Sequence, residues 1–95
     1  MSAALILCTG LSTSARAATG ELFYRSTDGE EFTITDPDNG ECFLLVGGAD
    51  RVSNMTDTRA TLYTDHGCEE NPTSLASHAS RDFFPPLVPH SIRFG

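Results

Sequence analysis

No stretch of eleven or more residues in this chain carries apolar side chains at the i, i+3, i+4, i+7 spacing of a helix without a Gly or Pro interrupting it. Short runs rich in aromatic and β-branched residues, separated by turn signals, take the place of helices. This pattern predicts an all-β fold. The clearest predicted strands are 21–25, 31–35, 42–46, 59–64 and 90–94, with shorter ones at 51–54 and 73–76. Asp28-Gly29 is a hairpin dipeptide. In Asp36-Pro37-Asp38-Asn39-Gly40 the Pro presets φ, the Gly accepts a positive φ and the Asx side chains bond their own backbone. Cys42-Phe43-Leu44-Leu45-Val46 is uninterrupted and apolar, and reads as the most buried strand. The segment 83–89 cannot be a central strand, because its prolines lack the N–H that a ladder requires. It reads as an apolar strap lying across the core. Six or seven short strands at this spacing predict a small antiparallel sandwich or barrel.

The amino-terminal segment sets how much of the chain must fold. Ala3-Ala4-Leu5-Ile6-Leu7-Cys8 is apolar and uncharged, and it fades into the small-residue stretch Ala15-Arg16-Ala17-Ala18. An apolar core followed by an A-x-A site reads as a secretory signal at 1–17, cut after Ala17, with a single β domain at 18–95. The usual basic n-region is missing, and the alternative is a short buried helix or strand belonging to the fold. The run is too short to span a bilayer. Lipidation at Cys8 is disfavoured by the bulky Leu7 before it. The expected protein is therefore secreted and free of the membrane once cut.

Export decides what the cysteines mean. With Cys8 removed, Cys42 and Cys68 remain, and two cysteines in an exported chain most simply form one disulfide; a pair of buried thiols is the alternative. A domain of this size has a thin core and needs such a staple. The composition is acidic, with 13 Asp+Glu against 6 basic residues, all of them Arg. Loss of Arg16 with the leader takes the net charge from −7 to about −8. Such a surface repels phosphate backbones and anionic lipid, which disfavours nucleic acid and membrane as partners.

The stretch Val52-Ser53-Asn54-Met55-Thr56, then Ala60-Thr61-Leu62-Tyr63-Thr64-Asp65, Cys68 and the closing Ser91-Ile92-Arg93-Phe94, resembles the βγ-crystallin-like secreted proteins of actinobacteria, and within them the metalloproteinase-inhibitor group. The resemblance covers residues 52–94. The family motif reads aromatic, four residues, aromatic, one residue, Gly, with a Ser further on. Tyr63 takes the first aromatic position, Cys68 stands at the second and Glu70 at the Gly. That Gly has a positive φ, so the resemblance implies strain at Glu70. It also implies a Greek-key sandwich, and Ca²⁺ held by paired Asx residues followed by Ser. Of the corresponding stretch, Asp50 and Ser53 fit, whereas Ala49 and Asn54 do not.

Three further groups of residues could carry chemistry. Asp36, Asp38 and Glu41 place carboxylates around one turn, a fragment of what a hard cation requires, although a plain Asx turn explains them as well. His66 and Cys68 have a spacing that could suit Zn²⁺, but Cys68 is better used in the disulfide. Asn54-Met55-Thr56 is a glycosylation sequon, relevant only in a eukaryotic secretory pathway, and Asn54 is expected at a strand end. No nucleophile elbow or comparable signature supports an enzyme. The polar loop after Tyr63 is rigidified by Cys68 and Pro72, and rigid loops lose little entropy on docking. Asp65, His66, Gly67, Glu69 and Glu70 are therefore the expected partner-binding residues; an exposed 83–87 strap would be a second partner surface. Taken together, these features lead us to expect a monomeric two-sheet Greek-key sandwich, βγ-crystallin-like and stapled by Cys42 and Cys68. It is expected to be non-catalytic and cofactor-free, and to bind an extracellular protease or other protein. The alternative is a structural or stress-related secreted protein that binds calcium or a surface polymer.

Overall fold

The computed structural model describes residues 17–95; the expected leader lies outside them, apart from Ala17. Eight strands and no helix are present among the described residues. They are β1 (Gly20–Ser26), β2 (Glu31–Thr35), β3 (Cys42–Leu44), β4 (Ala49–Thr56), β5 (Ala60–Tyr63), β6 (Thr73–Leu75), β7 (Ala79–Asp82) and β8 (Ser91–Phe94). They form two antiparallel four-stranded sheets, ordered β2-β1-β4-β7 and β3-β8-β5-β6. Each half of the chain builds one sheet from its first, second and fourth strands, and gives its third strand to the other sheet. The strand order within the two sheets is therefore the same, and neither half can close its sheet alone.

Period-two alternation builds the core. β1 turns Leu22, Tyr24 and Ser26 inward, and β8 turns in Ile92 and Phe94. In β4 the inward set switches from Ala49 to Val52, Asn54 and Thr56, because Asp50 is an extra residue: Arg25 pairs with Arg51 while Ser26 pairs with Ala49. Leu22, Leu62, Ile92 and Phe94 are almost wholly removed from water, each contributing about 1.5–3 kcal/mol before entropy is counted. The Tyr24 ring stacks on Phe32 at 5.0 Å, and its hydroxyl accepts the Val46 N–H at 2.9 Å, closing the polar end of that side chain.

Cys42 and Cys68 are joined, 26 positions apart. Several expectations need correction. β3 is an edge strand, paired only with β8, and only Leu45 of the 42–46 run is fully buried; Leu44 and Val46 face solvent. The 83–89 strap is split. Phe83 packs against the core and Val88 is buried, whereas Phe84 and Leu87 are 73 % and 61 % exposed. The turn at 36–40 also does more than reverse the chain. Asp38 bridges Ala17, Asn39 bridges Phe94, and Gly40 N–H donates to Phe94 O at 2.8 Å, so this segment ties both ends of the domain together.

Asn54 is not at a strand end. It lies inside β4, fully buried, and its side-chain amide donates to Thr58 O, Leu75 O and Ala76 O. The sequon asparagine is thus a clamp between the two sheets, with no free amide in the folded domain.

Candidate functional site

The loop joining β5 to β6 is built around one carboxylate. Asp65 Oδ1 accepts the N–H groups of Glu69 and Glu70 at 3.0 and 2.9 Å, and Oδ2 accepts that of Gly67 at 3.0 Å. A second layer holds the loop to the sheet. Cys68 N–H donates to Ser91 Oγ at 3.0 Å, and the Ser91 hydroxyl donates to Asp65 O at 2.6 Å. Thr64 N–H donates to Glu70 O, Asn71 Nδ2 donates to Thr64 Oγ1, and the Cys42 bond anchors the centre. The backbone donors of Thr64, Gly67, Cys68, Glu69 and Glu70 are therefore already satisfied within the domain.

This geometry divides the expected partner-binding residues into two groups. Asp65 and Gly67 are scaffold, since the carboxylate of the first is consumed within the loop. His66, Glu69 and Glu70 are exposed and project outward. The His66 ring lies 4.8 Å from that of His90, whose Nδ1 bonds Thr64 O at 2.9 Å. Glu70 escapes the expected strain: positive φ falls on Cys68 (59°) and Asn71 (50°) instead. Asn tolerates that region through local side-chain bonding. Ser91, buried beneath the loop, was not among the sequence candidates. It points to the face opposite Ile92 and Phe94 and is buried only because the β5–β6 loop covers it, which nothing in the sequence signals.

The backbone donors of Glu69, then Glu70, hold the Asp65 carboxyl below the usual carboxylate range. A group whose folded pKa is depressed stabilises the fold above its unfolded pKa, and that contribution is lost as pH falls through the folded value. Stability measured by urea unfolding is therefore expected to decline below about pH 4. Asp65→Asn should make the decline shallower; identical pH profiles for the two proteins would remove the loop from the explanation.

The calcium candidates are spread over separate contacts. Asp36 Oδ1 accepts Gly20 N–H at 2.8 Å, while Asp38 and Glu41 stay exposed along the same turn. Asp50 pairs with Arg25 Nε at 2.8 Å, and Ser53 Oγ accepts the Ser80 hydroxyl at 2.8 Å. Among the described residues, no three His, Cys, Asp or Glu side chains are grouped so as to hold a metal ion. His78 sits in a different turn, before β7, and does not join His66.

A second concave surface lies on the outer face of the β2-β1-β4-β7 sheet. It is a shallow depression of about 460 Å³ around Phe23, bordered by Arg25, Arg51, Thr33, Ser53 and Glu31. Sequence reading assigned none of these side chains except Ser53 to a site, since each is an unremarkable outward position of a strand and only the pairing of three strands groups them.

No protein-family model matches the sequence, and no curated protein or solved structure matches it.

Proposed function

We propose that this protein is a secreted, non-catalytic binding module with a βγ-crystallin-like double Greek key, and that it inhibits an extracellular protease through the loop between β5 and β6. The exchange of third strands between the two sheets supports the fold assignment. The disulfide fits an oxidising, extracellular setting, and among the described residues no helix is long and apolar enough to cross a membrane.

The observation that carries the functional reading is the Asp65 carboxylate accepting three backbone N–H groups within a loop also held by Cys42 and Ser91. A segment fixed in this way presents His66, Glu69 and Glu70 with little backbone ordering cost on docking, and preorganisation of this kind raises affinity without new contacts. The two glutamates select a target with a basic rim and accelerate its approach.

Inhibition assays against a panel of metallo- and serine proteases test the proposal. Inhibition at micromolar protein is expected for at least one enzyme. Combining His66→Ala, Glu69→Ala and Glu70→Ala should weaken it by at least about tenfold with the melting temperature little changed, because the three side chains are exposed and their one ring contact is that of His66 with His90. Absence of inhibition across the panel, or full potency in the triple variant, would overturn it.

A further inference from the structure

We propose that the outer face of the β2-β1-β4-β7 sheet binds a neutral sugar ring of a polysaccharide, with Phe23 as the stacking platform. This site is independent of the β5–β6 loop, which belongs to the other sheet. Two adjacent cross-strand rows form it. One runs Thr33, Phe23, Ser53, Ser80; the other runs Glu31, Arg25, Arg51, Asp82. Phe23 is 41 % exposed on a central strand, and hydroxyl side chains flank it on both sides. The depression of about 460 Å³ falls within the range of small-ligand sites.

Charge narrows the ligand class. Arg25 and Arg51 stand directly opposite each other, a costly pairing unless each is neutralised. Asp50 accepts from Arg25 Nε at 2.8 Å, and Asp82 accepts from Arg51 Nη1 at 2.7 Å. With Glu31 added, the face carries two guanidinium groups and three carboxylates, so it offers little net field to either an anion or a cation. It does offer hydrogen bonds. Each guanidinium keeps further N–H donors after one pairing, Glu31 accepts, and Thr33 and Ser53 do both.

An apolar ring surrounded by balanced donors and acceptors complements a pyranose, which has a C–H face and an edge of hydroxyls that donate and accept. The bulge at Asp50 is part of this arrangement. The extra residue places the carboxylate where it reaches Arg25 on the outer face, and bulges of this kind re-aim side chains next to binding sites. Because β1 is paired on both sides, the platform is rigid before any ligand arrives.

Depletion of the purified protein by insoluble cellulose, chitin and a β-1,3-glucan tests the site, at low salt and in about 0.5 M NaCl, where ionic adsorption is screened. Retention on at least one polymer in both conditions is expected. Phe23→Ala should weaken it by at least about tenfold, and Phe23→Tyr, which keeps the ring, should preserve it. Melting temperatures of the variants should match the wild type, since the ring is not part of the core. In the wild type, a soluble oligosaccharide of the retaining polymer should shift the amide resonances of Phe23, Thr33 and Ser53 and leave those of residues 65–70 unmoved. Failure of every polymer to retain the protein, equal retention of Phe23→Ala, or retention that disappears in salt would overturn the proposal.

Discussion

Removing the bond between Cys42 and Cys68, by reduction or by the paired Cys42→Ser and Cys68→Ser substitutions, is expected to lower stability by about 3.5 kcal/mol and the melting temperature by roughly 15–25 °C. The chain-entropy contribution for a separation of 26 residues sets that magnitude. A small domain holds only about 5 kcal/mol in total, so most of the margin would disappear. Two weak elements meet at this bond. β3 is a three-residue edge strand that pairs with β8 alone, and an isolated edge of that length frays readily. Cys68 sits at a φ of 59°, a conformation that costs a non-glycine residue about 1 kcal/mol and is retained only because its neighbours enforce it. Ser91 and the N–H acceptance by Asp65 remain after reduction and keep part of the loop in place. Proteolysis of the reduced protein should therefore begin at β3, which keeps only its ladder with β8, and thermal melts with and without reductant measure the loss of stability. Coincident melts would show that the sheets, not the bond, supply the stability.

How far the fold could be read from the sequence depended on whether each element announces itself by apolar alternation. β2 was legible to the residue, because Phe32 and Ile34 alternate with polar neighbours between two turns. β7 was not anticipated. Ser80, Arg81 and Asp82 are exposed, and the strand is held at the sheet edge by ladder pairing, the Ser80–Ser53 hydroxyl contact and the Asp82–Arg51 ion pair. The error over the 42–46 run has the opposite cause. Apolar composition does not by itself mean burial, and here an edge strand at the rim leaves Leu44 and Val46 outside.

The sequence marks the β5–β6 loop as rigid through Cys68 and Pro72, but the division of labour within it was hidden. Nothing in Thr64-Asp65-His66-Gly67 tells a reader that the carboxylate turns back onto its own backbone. A related arrangement occurs in the other half of the chain, at Thr27-Asp28-Gly29, where the carboxylate accepts a side-chain hydroxyl, that of Ser26, in place of a set of backbone N–H groups. There the Asp28 carboxyl is held below its ordinary range by the Ser26 hydroxyl and then by the Glu30 N–H. Two hairpins thus use a Thr-Asp pair and a nearby Gly at matching places in the two halves. A single inserted His is enough to obscure so short a repeat. The resemblance to a known family rested on 52–94, and no sequence likeness was seen over β1 to β3.

Asn54→Ala is expected to destabilise the domain by about 3 kcal/mol, because it strands several buried groups at once. Asn54 Nδ2 lies 2.9, 3.2 and 3.3 Å from Thr58 O, Leu75 O and Ala76 O, so its two protons serve carbonyls on both sides of the sandwich. Oδ1 accepts the Thr56 N–H at 3.2 Å and the Thr56 hydroxyl at 2.7 Å. Truncation removes these partners without admitting water, since Asn54 and Thr56 are both fully buried. Asn54→Asp separates this hydrogen-bond argument from a purely steric one. It conserves shape but sets a carboxylate against those carbonyl oxygens, so its folded pKa must rise above the unfolded value. The protonated acid can still donate to one carbonyl; the stability it contributes is present at low pH and is lost as pH rises past about 4. Stability of Asn54→Asp relative to wild type should therefore worsen between pH 3 and pH 6, opposite in sign to the effect of the Asp65 carboxylate. Urea unfolding of the three proteins across that interval decides the matter. A pH-independent deficit in Asn54→Asp would mean that water reaches the clamp, and that the two sheets are held together by side-chain packing alone.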